Sequence, residues 1–137
     1  MKVICGRPVF IFSMLSISSL YFVVTAIQFW TSDYCQFRYK TSPSFAYSGF
    51  ATICVSAPTA GVIVGGILIS RLGGYEHPNT IKICTCMAFI ACLCAGPIPF
   101  VNSVWVFFVL MWLLLFVGGF IMPNLLGVMI ASIPGNM

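Results

Sequence analysis

From Ile83 to Met137 the chain carries no Asp, Glu, Lys or Arg. Across all 137 residues only 6% are charged and 61% are hydrophobic, whereas a soluble domain carries roughly a quarter charged residues. That excludes a water-soluble globule. The few charges are confined to three places. Lys2 and Arg7 precede the first apolar run, Asp33, Arg38 and Lys40 follow it, and Arg71, Glu76 and Lys82 follow the second. A bilayer core about 30 Å thick takes roughly 20 apolar residues as helix, and a charge at its centre costs about 2.5 to 3.5 kcal/mol. Four segments meet that demand, at residues 8–30, 43–70, 83–100 and 104–130. Each is too long and too continuously apolar for the alternating, roughly ten-residue strand of a membrane barrel, so helices must satisfy the backbone. The sequence therefore predicts an all-α membrane protein in which residues 1–137 form a single transmembrane domain of four helices.

The first run is too long for the apolar core of a secretory signal, roughly 7 to 15 residues, and ends in Phe29 and Trp30 without a small-residue cleavage site. It is expected to stay in the membrane. With the N-terminus cytosolic, Lys2, Arg7, Arg71 and Lys82 collect on that side and only Arg38 and Lys40 on the other, as the positive-inside rule prefers. Trp30, Tyr34 and Tyr39 at one interface and Tyr75 at the other fit aromatic belts.

Within the second span, Ala57, Gly61 and Gly65 recur at four-residue spacing, with Ser56 and Ala60 beside them. Helices in lipid gain little from hydrophobicity on associating, so such a row reads as a surface for close helix packing. Pro58 in the second span and Pro123, followed by Asn124, in the fourth predict helix breaks, because proline removes a backbone donor and clashes with the preceding turn. Discontinuous helices of this kind surround the cavities of transporters. Asp33 is placed in a loop just beyond Trp30, and no acid or base lies at the bilayer centre, where a proton relay needs one.

Cys84-x-Cys86 and Cys92-x-Cys94 lie along an apolar helix, whereas structural zinc sites present Cys pairs two to four residues apart on accessible turns. They read as buried thiols serving as small apolar side chains, and no metal or cofactor is expected. His77 is the only histidine, and Asp33 and Glu76 fall at opposite membrane faces, so no acid/base pair or activated nucleophile can form. The chain is not expected to be an enzyme.

The segments FVVTAIQFWTSDY (Phe22 to Tyr34), SAPTAGVIVGGILISRLGGYEHP (Ser56 to Pro78) and IPGNM (Ile133 to Met137) resemble the major facilitator superfamily, and within it the spinster-like transporters. The resemblance implies that the four spans correspond to the seventh to tenth helices, the start of the C-terminal six-helix half. It also implies a cytosolic loop motif, Gly-x-x-x-Asp-Arg-x-Gly-Arg, here reduced to Gly66, Arg71, Gly73 and Gly74, with Ser70 where the family has Asp. Its seventh, eighth and tenth helices face the central cavity. By resemblance the lining is Thr25, Gln28, Phe29 and Trp30 from the first span and Trp112, Phe116 and Asn124 from the fourth. Such a wall suits an amphipathic or lipid-like solute moved by alternating access.

Four spans are fewer than the twelve of that family, so the chain reads as a fragment, a truncated gene model or a remnant, with the remaining helices supplied by the same full-length chain or another polypeptide. Its expected partners are the lipid bilayer, those helices and a small-molecule solute, with no nucleic acid. Multi-pass residence in a plasma or endolysosomal-type membrane is expected. The alternative is a four-span structural or scaffolding protein, or a non-transporting remnant. Loops 31–42 and 101–103 are too short for the ectodomains of tetraspanins or claudins, and the first span lacks the buried acid that small multidrug exporters need.

Overall fold

A computed structural model describes residues 8–75 and 77–131. Its elements are α1 (Pro8–Tyr39), α2 (Pro43–Arg71), α3 (Pro78–Ala95), a 3-10 turn (Ile98–Phe100) and α4 (Val104–Ala131). No strand occurs among the described residues, and all four helices are long and apolar enough to cross a membrane. Met1 to Arg7, Glu76 and the terminal IPGNM segment lie outside the described residues.

Helix ends follow local chemistry and differ from the sequence expectation in three places. α1 runs nine residues past Trp30 because nothing between Thr31 and Tyr39 breaks a helix; it stops at Lys40, whose φ of 51° is left-handed. Asp33 is therefore an exposed helical residue and not part of a loop. At 32 residues and 1.5 Å per residue, α1 is about 48 Å long and overshoots a 30 Å core. α3 begins at Pro78, five residues before Ile83: proline suits the first helical position, and the His77 Nδ1 accepts the Asn79 N–H at 3.3 Å as a cap. It ends at Ala95 and not Phe100, since Pro97 forces the chain into a 3-10 turn closed by Phe100 N–H to Pro97 O at 2.9 Å. Ser42 caps α2, accepting from Phe45 N–H, with Pro43 behind it.

The expected breaks at Pro58 and Pro123 do not occur. Both residues lie inside continuous helices, as neighbouring helices and local adjustment allow in membrane proteins.

α4 is the hub. α1, α2 and α3 all pack on it, and α1 also meets α2. Cys35, Ala46, Phe50, Ile53, Ala57, Phe107, Met111 and Leu115 form one core; Cys84, Val117, Phe120 and Ile121 form a second, nearer the opposite face. Outside these cores large apolar side chains point outward, among them Phe22, Val55 and Phe89, each at least two-thirds exposed. In lipid that surface is ordinary. The cysteine expectation holds for Cys84, which is buried; Cys86 and Cys92 instead face outward from α3.

Candidate functional site

α2 crosses α4 at close quarters. On α2 the buried residues Ala46, Phe50, Ile53, Ala57, Gly61, Gly65 and Ile69 form one stripe at three- and four-residue spacing. A Cβ at Gly61 would run into the Phe116 carbonyl and stand 2.8 Å from the Phe120 nitrogen. The fit is reciprocal: a Cβ at Gly119 would lie 2.6 Å from the Pro58 carbonyl oxygen. Backbone therefore meets backbone, which only glycine permits. The Ala57-Gly61-Gly65 row has its partner within the chain, on α4.

Asn124 closes this crossing. It is fully buried, its Nδ2 donates to the Phe120 carbonyl at 2.6 Å, and a Cβ at Gly65 would stand 2.7 Å from that nitrogen. Its Oδ1 is buried with no hydrogen-bond partner among the described residues, a state that costs about 1 to 3 kcal/mol.

The other six cavity residues named by resemblance are divided between α4 and α1. On α4, Trp112 and Phe116 stack with ring centroids 5.4 Å apart and planes 12° apart, and the Trp112 Nε1–H donates to the Ser56 hydroxyl of α2 at 3.1 Å. On α1, Thr25, Gln28, Phe29 and Trp30 are all exposed, and the Thr25 hydroxyl donates to its own helix at Tyr21 O, 2.8 Å away. Phe29 and Trp30 meet edge to face at 5.1 Å. Trp30 also lines a hollow of about 300 Å³ with Tyr34, Phe107, Met111 and Leu114. The aromatic pair of α4 and the polar face of α1 are thus separate surfaces, not one enclosed pocket.

The loop motif has a clear local cause. The Gly74 N–H donates to Ile69 O at 3.0 Å, the six-to-one bond of a Schellman end, and Gly73 and Gly74 take φ of 104° and 83°. Arg71 is the exposed last residue of α2, and Gly66 has open space where its Cβ would be. Tyr75 then folds back on α4, covering Gly127 so closely that no side chain could replace that glycine's hydrogen.

Sequence reasoning missed the latch at the other membrane face. Arg38 Nη2 donates to Asn102 Oδ1 at 2.6 Å, and the Tyr39 hydroxyl donates to Val101 O at 2.9 Å, tying the end of α1 to the α3–α4 connection. The signal was present in the polar residues at 38, 39 and 102, but it needs α1 to continue past Trp30. Among the described residues no three of His, Cys, Asp and Glu converge on a metal-sized space.

The family described as Organic Anion Transporter Polypeptide (OATP) matches residues 1–103. The chain belongs to the OATP family. This is a family of membrane transporters of the major facilitator type, so the superfamily resemblance stands, while the spinster-like branch is replaced by OATP. The OATP match takes in α1, α2, α3 and the 3-10 turn; α4 begins at Val104, just beyond it. Two of the segments that carried the resemblance, Phe22 to Tyr34 and Ser56 to Pro78, fall inside it. No curated protein and no solved structure is significantly similar to the chain. Family and helices together make it an integral, multi-pass membrane protein.

Proposed function

We propose that the chain forms part of a secondary-active carrier moving amphipathic organic anions across a membrane by alternating access. The observation that carries this reading is the OATP family match over residues 1–103. Two features of the molecule support it. Asp33 is the single carboxylate among the described residues, so little in the four helices repels an anion. The stacked Trp112–Phe116 pair with its hydrogen bond to Ser56 offers an apolar shelf with a polar edge, which suits an aromatic or lipid-like body. Thr25, Gln28, Phe29 and Trp30 complete the proposed lining once the remaining helices of the carrier close around these faces, whereas Asn124, fully buried in the α2–α4 crossing, stands on none of them. The glycine-packed crossing gives α2 and α4 one rigid unit, the kind of body that rocks in alternating access.

Uptake of tritiated naphthalenesulfonate into cells expressing the chain together with the remaining helices of the carrier tests this. Saturable uptake above vector controls is expected, with Trp112→Ala lowering it about tenfold at equal surface abundance, a loss of roughly 1.4 kcal/mol, and Val55→Ala leaving it unchanged. Uptake equal to the vector control, with the complete carrier present at the surface, would refute the reading.

A further inference from the structure

A cleft of about 650 Å³ opens between the first half of α1, the first half of α3, and α4. None of Trp112, Phe116 and Asn124 lines it. Phe12 and Leu15 wall it on α1, Ala88 on α3, and Ile121 and Leu125 on α4. Its volume falls in the range of roughly 300 to 1,000 Å³ typical of small-molecule sites.

Its depth indicates what fits. The cleft starts at Pro8, the first turn of α1, and ends at Leu20, which packs on the Cys84, Val117, Phe120 and Ile121 core and closes the inner end. Twelve residues of helix span about 18 Å, close to the roughly 15 Å of one leaflet's hydrocarbon. Beyond Leu20, the contact of α1 with the bundle is carried by Ile27, Thr31 and Cys35. The cleft is thus about one leaflet deep, the length of a lipid acyl chain.

The lining also contains an unanswered polar group. Ser13 is 6% exposed and lines the cleft, yet no hydrogen bond engages its hydroxyl among the described residues. The neighbouring Ser18 and Ser19 hydroxyls, in contrast, bond back to their own helix. A hydroxyl that opens into an apolar cleft with no protein partner can donate to an acceptor on a ligand, such as an ester carbonyl.

Charge at the mouth selects the headgroup. The α1 and α3 N-termini both open on this face with no acidic residue in either first turn, and exposed Lys82 follows the lining residue Ile81. Helix N-termini and an ammonium together favour an anion. By the positive-inside count this face is cytosolic, the leaflet rich in anionic lipid. We infer that the cleft between α1, α3 and α4 seats one acyl chain of an anionic phospholipid from the cytosolic leaflet, its glycerol ester at Ser13 and its headgroup beside Lys82. This inference is independent of the transport reading.

The test places the purified full chain in phosphatidylcholine nanodiscs containing a phosphatidylserine with a photoreactive acyl chain and maps the labelled peptides. Labels should concentrate on residues 8–20 and 81–88, and excess unlabelled phosphatidylserine, but not phosphatidylcholine, should displace them. Ala88→Trp should lower that labelling about tenfold, as a ring filling the cleft should, without changing labels at outward Val55 and Val109. Lys82→Gln should erase the preference for phosphatidylserine. Labels spread evenly over all outward faces, or undiminished in a folded Ala88→Trp protein, would overturn the proposal. So would displacement by naphthalenesulfonate, which would make the cleft a solute site, or cross-links from the cleft to another protein segment. If Ala88→Trp fails to fold, the wild-type competition alone decides.

Discussion

A methyl group at Gly61 would collide with the Phe116 carbonyl, and one at Gly66, five residues on, would meet nothing within 4 Å. Both glycines sit in the same helix and cost it the same intrinsic helix propensity, so the pair isolates packing from backbone entropy. Gly61→Ala should destabilise the detergent-solubilised protein by about 1 to 3 kcal/mol through overpacking, while Gly66→Ala should be neutral or raise stability by up to about 1 kcal/mol. Equal unfolding curves for the two variants would contradict the close crossing. Asn124 permits a second separation at this scale. Its Oδ1 is buried and unpaired, so Asn124→Leu, close in size and without the orphan oxygen, should change stability by less than about 1.5 kcal/mol. A larger loss in the unfolding curve would mean that the amide is needed at the crossing.

At the scale of elements, α4 organises the molecule because every other helix rests on it, and the membrane-face latch fixes where α1 ends. Arg38 and Asn102, 64 residues apart in the chain, are joined at 2.6 Å. Arg38→Ala and Asn102→Ala should each loosen the end of α1, and their double-mutant cycle should show coupling of about 0.5 to 1.5 kcal/mol, the worth of one hydrogen bond. Strict additivity would mean that the contact holds nothing. The helices themselves were legible in the sequence, because exclusion of charge from long apolar runs leaves few alternatives in a bilayer. Their ends were less so. Thr31 to Tyr39 looked like a loop because it is polar, yet polarity at a membrane face does not stop a helix; the turn comes at Lys40, where no residue type announces it. Pro78 and Pro97 were better guides to the ends of α3 than hydropathy. Pro58 and Pro123 misled, since a proline inside a membrane helix is tolerated when its neighbours pack around it.

For the whole molecule, the row Ala57, Gly61 and Gly65 was readable as a packing surface, but its partner was not: Gly119 and Phe116 sit more than 50 residues away, and no periodicity links them. The proposed solute wall was hardest to see for the same reason. Thr25, Gln28 and Trp30 lie on α1 and Trp112 and Phe116 on α4, and what joins such faces into a cavity is tertiary geometry. The proposed carrier role gives these surfaces a common purpose, and its most direct test is counterflow. Proteoliposomes holding the chain together with the carrier's remaining helices are preloaded with unlabelled naphthalenesulfonate, and entry of the tritiated compound is followed over time. A carrier that reorients with its solute bound predicts a transient overshoot of label above equilibrium, abolished by Trp112→Ala. Entry that rises linearly with concentration and ignores the preload would contradict it.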